Sequence, residues 1–495
     1  MTSPSLPVVR KLPPGFDVAV AFDRLGDMPR RIWLDSNTAA NTGQLSEAAS
    51  IDPAASVQDT PRGRYSFLAA DPVRTLDVHA GAPAPWDDFQ VLAKSLPPTN
   101  APELPPFQGG IAGLIGYEAG TWLENVGTSR IDDLPTPAIS LGVYDWVIAV
   151  DHINGEAWLV SQGLGADDES QRETAARQRA DAVMRCLESS NDATPAYGKS
   201  AGKALSVLAK PTNQFATQHT GVTSSFTGAG FRGAVADIVQ RIRGGDCFQV
   251  NLAQRLLRQA DCCSSELYHR LRKANPAPMS GYYDGGDFQV LSSSPEGFLQ
   301  VRGGRVETRP IKGTVPRTGD DRRDEELAQQ LRESKKDHAE NVMIVDLMRN
   351  DLSRVCEDDS VEVEKLCKVE RYRYVQHLVS VVTGRLRADQ DVVDLLRACF
   401  PGGSITGAPK IEAMKTIATL EPNPRGPYCG SLGYISCGGN ADFNILIRTI
   451  TATRGYWQIP VGGGITARSE PAGEEAETWS KAEGMLRAVQ IHDGT

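Results

Sequence analysis

The chain has 495 residues, 40% hydrophobic and 23% charged, with a formal net charge of −10 at pH 7. That length buries a large core, as two or three domains or one large α/β unit, and that composition excludes wholesale disorder. The acidic balance argues against nucleic acid as the main ligand, because phosphate binding needs clustered Lys and Arg; a small anion on a local basic cluster stays compatible with it.

In chain order, Met1 to Phe16 lacks an apolar signal core, and the longest apolar runs, around Val379–Val382 and Ile435, are strand-sized. The expectation is a cytoplasmic protein with no membrane span and no nucleic acid. Nine cysteines without paired metal spacing predict reduced thiols and no zinc site. Residues 1–187 read as a β-rich N-terminal region interleaved with the core. Its candidate strands are Arg30–Leu34, Tyr65–Ala69 and Gly142–Val150, and a helix is expected over Asp167–Leu187 with a narrow apolar face. Residues 188–215, rich in Ser, Ala, Gly and Asn, read as a loop or linker.

Residues 216–495 are expected to form a catalytic region. Gly233–Arg243 predicts a helix stopped by Gly244-Gly245. Strands are expected at Phe248–Leu257 and Phe288–Ser292, one continuous helix at Asp324–Leu352, a strand at Tyr374–Leu386 and a helix at Val392–Cys399. Gly407–Leu420 reads as a helix, Gly430–Thr453 as two strands about the Gly438-Gly439-Asn440 turn, Gln458–Ile465 as a strand and Gly473–Ile491 as the closing helix. The pattern predicts an α/β or α+β fold, largely antiparallel.

Several segments here can carry chemistry. Arg309-Pro310-Ile311-Lys312-Gly313-Thr314-Val315-Pro316 sets one lysine between a proline that fixes the backbone and a glycine that frees it. The expectation is a defined loop, with Arg309 and Arg317 as cations that make Lys312 a nucleophile; a solvated surface lysine is the alternative. On the closing helix Glu474, Glu477 and Lys481 share one face, a spacing that suits Mg²⁺ or simply an exposed Glu477–Lys481 pair. Glu340 is a further candidate ligand, or a boundary charge before an apolar run. The loop Pro401–Lys410 opens a helix and offers free N–H groups to an anion; Ala408 stands where a nucleotide P-loop needs lysine, so ATP is excluded. Gly462-Gly463-Gly464 admits a flat ligand close to the backbone. Arg448 is a carboxylate fork or a strand-end charge, His377 a core or catalytic histidine, and Glu296 a general acid or a turn carboxylate.

These stretches, namely Gly245–Arg255, Ser293–Glu296, Pro310–Thr314, Glu340-Asn341 with Asp346–Leu352, Gly402–Lys410, and Glu474 to Lys481, resemble in order and sequence the chorismate-utilising enzymes. This is the family of the anthranilate synthase and aminodeoxychorismate synthase large subunits, and the likeness covers about residues 225–490. Leu34-Asp35-Ser36 and Arg64-Tyr65-Ser66-Phe67 add a weaker N-terminal match. Gln249 stands where enzymes that add water carry a lysine base, and Lys312 where anthranilate synthases usually carry alanine. That pair resembles the aminodeoxychorismate synthase branch. Glu475 departs from the family, which usually has an aromatic residue there.

The resemblance implies two packed, mainly antiparallel sheets with helices outside and the active site in a cleft. It implies Mg²⁺ held by Glu340 and Glu477, with Glu474 acting through water. Ser404, Thr406, Gly462, Gly463, Gly464 and Lys481 would contact chorismate, and Arg448 its enolpyruvyl carboxylate. Lys312 would add to C2, with Glu296 as general acid and His377 assisting, before ammonia displaces it from C4. No Gly-x-Cys-x-Gly elbow surrounds any cysteine, so a separate glutamine amidotransferase subunit is expected as the ammonia source. Asp35, Ser36, Tyr65 and Ser66 resemble a tryptophan site. The alternatives are anthranilate synthase component I and a catalytically silent amino-acid-sensing subunit.

Overall fold

The computed structural model describes residues 6–36, 63–79, 81–83, 85–166, 168–188, 211–371 and 375–490. Most of the expected linker, residues 189–210, lies outside them. Two antiparallel sheets, one of 13 strands and one of 10, make an α+β fold with helices on the outer faces. In the larger sheet the N-terminal strand Ile32–Asp35 pairs directly with Met279–Asp284. In the smaller one Gly110–Ile115 pairs with Ser431–Ser436. Both sheets are therefore built from both halves of the chain. Their inner faces meet in an aromatic layer, where Phe67 of the larger sheet lies 5.4 Å from Tyr434 of the smaller. The outer helix Arg172–Glu188 buries Ala176, Ala180, Val183 and Leu187, the narrow apolar face its sequence predicts.

Nine elements position the site. In chain order they are α1 (Gly228–Gly244), β1 (Gln249–Gln259), β2 (Ile311–Pro316), α2 (Asp321–Glu333), α3 (Lys335–Ser353), β3 (Val375–Arg385), α4 (Lys410–Leu420), β4 (Tyr456–Ile465) and α5 (Pro471–Gln490). Helix α1 starts on the Thr227 hydroxyl, which accepts from the Gly230 amide, and stops at Gly245 with φ 92°. Strands β1 and β4 pair along their length, from Val250 opposite Ile465 to Gln259 opposite Tyr456.

Four local expectations change. The helix expected over 324–352 is two helices, because Ser334 ends α2 and its hydroxyl accepts from the Asp337 amide to cap α3. The strand expected over 142–150 is two, Ile139–Tyr144 and Trp146–Asp151, in different sheets; the chain crosses between them at Asp145. The hairpin expected over 430–453 holds three strands, Ser431–Ser436, Ala441–Asn444 and Thr449–Thr453, with a second change of sheet around Arg448. Residues Gly407–Ala408 bridge to β1 instead of joining α4. No helix of the described residues is long and apolar enough to cross a membrane. All nine cysteines are free thiols.

Candidate active site

A cavity of about 780 Å³ opens where β1 and β4 of the larger sheet face β2 and β3 of the smaller, with α3 and α5 alongside. Lys312, Glu296, His377, Ser404, Arg448, Glu340, Glu477 and Lys481 all line it. Residues spread over nearly two hundred positions of sequence thus reach one chamber.

Lys312 sits on a strand and not on the expected loop. Strand β2 pairs with β3, but the register slips between Lys312 opposite Leu378 and Thr314 opposite His377. The extra residue of this bulge is Gly313, with φ 72°. A Cβ there would stand 2.6 Å from Leu331 Cδ1 and 2.9 Å from Asp337 Cγ, so both conformation and space demand glycine. Bulges re-aim neighbouring side chains, and here the Lys312 amine enters the cavity and donates to the Ser404 carbonyl at 3.1 Å.

Burial lowers the Lys312 pKa, against the pull of the Glu296 and Glu340 carboxylates. The expected role of Arg309 and Arg317 is a correction. Arg309 pairs with Glu307 and Glu370, and Arg317 with Asp324, so desolvation replaces them as the cause. Glu296 moves the opposite way: burial raises its carboxyl, while Lys312, the Ser404 hydroxyl and the Ile311 amide oppose this. Both partners are thereby driven toward their uncharged forms. His377 is buried, its Nδ1 2.8 Å from the Thr314 hydroxyl, and burial together with Arg448 pushes it down to about 4. It is a neutral imidazole at physiological pH.

Arg448 holds a backbone conformation that non-glycine residues rarely adopt, with φ 51°. Its pKa is lowered by burial, and no carboxylate among the described residues pairs with it. A guanidinium facing a cavity without a counter-ion is a site for an anionic ligand. Lys481 instead pairs with Glu477 at 2.8 Å and donates to the Gly462 carbonyl at 3.0 Å.

The acidic face is formed by α3 and α5. Among the described residues Glu340 Oε1 is buried without a hydrogen-bond partner, with Lys336 Nζ 3.9 Å away. Burial raises its carboxyl, with Asp337 and Glu474 adding to the effect against Lys312 and Lys336. Glu474 is buried and accepts from the Ser469 hydroxyl at 2.5 Å. Gly463 faces this group: a Cβ there would lie 3.4 Å from Lys481 Nζ, 3.6 Å from Glu474 Oε2 and 3.7 Å from Glu477 Oε1. Among the described residues no three Asp, Glu, His or Cys side chains are already grouped as metal ligands. The orphaned Glu340 oxygen and the space kept by Gly463 nevertheless suit a hard cation with oxygen ligands. Glu475, the departure from the family pattern, turns to Arg232 of α1.

Gly462 and Gly464 line the cavity, whereas Thr406 does not. Thr406 is fully buried and its hydroxyl donates to the Gly402 carbonyl at 2.9 Å, which holds the loop that presents Ser404. Sequence reasoning did not nominate Asn251. It lies opposite Gly464, lines the cavity and keeps a buried Oδ1 without a partner among the described residues. Its place two residues after Gln249 on one strand was the available signal, since alternate residues share a face.

The N-terminal candidates gather elsewhere. Asp35, Ser36 and Tyr65 line a cavity of about 70 Å³ between the sheets. Asp35 accepts from Arg272 at 2.5 Å and from the Tyr268 hydroxyl at 3.2 Å. Ser66 stands behind it, 2.8 Å from His152 Nε2.

A family profile described as chorismate binding enzyme matches residues 53–487. Aminodeoxychorismate synthase component 1 of Salmonella typhimurium is 39% identical over 445 residues, covering 87% of this chain and 90% of that protein. Anthranilate synthase component 1 of Streptomyces coelicolor is 38% identical, covering 86% of this chain and 81% of that protein. Among solved structures, anthranilate synthase component I from Streptococcus pneumoniae TIGR4 matches with a TM-score of 0.72 at 30% identity, over 90% of this chain and 97% of that one. The menaquinone-specific isochorismate synthase from Escherichia coli shares the fold, with a TM-score of 0.67 at 19% identity over 98% of this chain and 96% of that one.

Proposed function

The chain belongs to the chorismate binding enzymes, and from that premise we propose that it is the large subunit of an aminodeoxychorismate synthase. It would replace the C4 hydroxyl of chorismate by an amine, giving 4-amino-4-deoxychorismate on the way to p-aminobenzoate and folate. The observation that carries this reading is the Lys312 amine inside the cavity beside Glu296, each pushed by burial toward its uncharged form. An ordinary lysine, with pKa about 10.4, is well below 0.1% neutral at pH 7, so such a shift is what a nucleophile needs.

Arg448 would bind the enolpyruvyl carboxylate, and Ser404, Gly462 and Gly464 would hold the ring end. Lys312 forms a bond to C2, the ring double bonds shift, and the C4–O bond breaks as Glu296 gives its proton to the departing water. The Glu296 carboxylate then takes the surplus proton from the lysine nitrogen. Ammonia adds at C4, the double bonds return, and the C2–N bond breaks with Glu296 returning a proton to Lys312. His377, neutral and bonded to Thr314, steadies the strand that carries Lys312. Glu340, with Glu474 and Glu477, would hold Mg²⁺; when bound, the ion supplies charge for the ring carboxylate and an electron sink for the ring.

The component 1 in the relatives' names supports a second component, read here as a glutamine amidotransferase subunit that supplies ammonia. The 70 Å³ cavity is proposed as the tryptophan site. The rival reading, anthranilate synthase component I, is favoured by the 38% identical Streptomyces relative. Product identification decides between them. With chorismate, Mg²⁺ and ammonium, chromatography and mass spectrometry are expected to show 4-amino-4-deoxychorismate, and fluorescent anthranilate would overturn the assignment. Without ammonium, intact mass is expected to show a chorismate-derived adduct on Lys312.

A further inference from the structure

Behind the cavity wall sits a charged group that the reaction does not touch. Arg425 is buried, its side chain 2% exposed, and it does not line the cavity. Its guanidinium donates from Nη1 to the Ile405 carbonyl at 2.9 Å and from Nη2 to the Asn251 carbonyl at 2.8 Å. Nε and Nη2 also hold the Glu421 carboxylate, at 2.9 Å and 2.6 Å. Glu421 in turn accepts from the Ala253 amide at 2.9 Å, so the pair grips β1 at two points. The guanidinium carbon stands 4.7 Å from the centre of the Tyr117 ring. The backbone amides of Arg425 and Gly426 donate to the Glu118 carboxylate at 2.8 Å and 2.9 Å.

The two carbonyls that Arg425 reaches belong to different parts of the cavity wall. Ile405 follows Ser404, whose carbonyl takes the Lys312 amine at 3.1 Å and whose hydroxyl meets Glu296. Asn251 lines the cavity opposite Gly464. One planar fork thus joins the loop that touches both reacting groups to the strand that carries Asn251. A buried ion pair adds little stability over an apolar pair of similar volume, because desolvating two charges offsets their attraction. An apolar pair, however, cannot hold two carbonyls at set distances. Lysine cannot replace the fork either, since its ammonium is a point charge without the planar array of donors.

We propose that Arg425 is a positioning residue for the reaction: clamped by Glu421, it fixes the Ser404 loop against β1 and so keeps Ser404 within reach of Lys312 and Glu296. The inference rests on the reading of Lys312 and Glu296 as the reacting pair, and adds the group that sets their surroundings. The test compares the full chain with Arg425→Lys, which keeps the charge and loses the fork, and with the double variant Arg425→Met/Glu421→Met, which removes both charges at similar volume. With ammonium as the nitrogen source, kcat is expected to fall by about 30-fold or more in both, since small misplacements near reacting groups are costly. KM for chorismate, which Arg448 would govern, is expected to stay within about threefold. Melting curves report whether each variant folds. A folded variant whose kcat stays within about threefold of the unaltered chain would overturn the proposal, because the pair would then be packing alone. A KM that rises as far as kcat falls would overturn it too, since the whole cavity would then have slackened. Should both variants fail to fold, Glu421→Gln decides, because it keeps the shape and one acceptor: a several-fold lower kcat at unchanged KM supports the role, and an unchanged kcat overturns it. Hydrogen exchange judges the clamp without turnover. The amides of residues 402–407 are expected to exchange about tenfold faster in the folded variants, and unchanged exchange would overturn the proposal. Absence of amination by the unaltered chain strikes the functional reading instead, and leaves the exchange measurement to judge the clamp.

Discussion

Around the small N-terminal cavity the charges answer one another: Asp35 holds Arg272, Asp151 holds Arg64 at 2.7 Å, and Asp442 holds Arg302 at 3.3 Å. Arg272 also lies 4.2 Å over the Trp33 ring. Around the large cavity, among the described residues, Arg448 has no counter-ion and Glu340 keeps an unpartnered oxygen, while Lys312 and Glu296 are shifted toward neutrality. A buried charge with a partner holds a fold together. A buried charge without one raises the energy of the empty site and is useful only when a ligand completes it.

That contrast can be broken or sharpened by substitution. The largest effect is expected from Lys312→Ala, which removes the nucleophile: amination should fall by at least about 10³-fold while thermal stability holds or rises. Steady-state kinetics with ammonium, together with a melting curve, checks both halves. Asp35→Ala should do the reverse. It strands Arg272, so unfolding free energy should drop by roughly 3 kcal/mol in urea titration, with kcat of the folded enzyme little changed. A turnover defect without a stability loss would erase the distinction between the two cavities.

Arg448→Met should come next. A charge-assisted bond to a carboxylate is worth about 1.5–3 kcal/mol, so KM for chorismate should rise about 10- to 100-fold, with stability unharmed because an unpaired cation is gone. The last effect concerns pH. His377 has its folded pKa depressed from 6.5 to about 4, so the unfolded chain takes up the proton first. Its contribution is intact at neutral pH, declines as pH falls below 6.5, and stops declining below about 4. His377→Gln should flatten that part of the melting-temperature profile between pH 7 and pH 4; an identical slope in both proteins would remove His377 from the acid response.

Much of this was legible in the chain itself. Gly245 stops α1 as its position suggests, and Val392–Cys399 is a helix with the bounds its pattern predicts. The misses share a physical cause. Apolar patterning reports burial but not which sheet does the burying, so the crossings at Asp145 and Arg448 read as continuous strands. Ser334 ahead of Asp337 was a local capping signal inside a polar run, and periodicity alone ran through it. The Lys312 environment depended on partners far along the chain, such as Glu370 for Arg309, which no octamer displays. A bulge is likewise invisible until its partner strand is in place, and only the glycine at 313 hinted at it.

The hydrogen-bonded seam between Ile32–Asp35 and Met279–Asp284 has a practical outcome for engineering. Trimming the early residues would bare a long ribbon of unsatisfied amides and carbonyls on the remaining half, an invitation to self-association. Chimeras that trade catalytic halves between relatives should fail unless the facing ribbon travels with them. Selection has to treat the two halves as one inheritance.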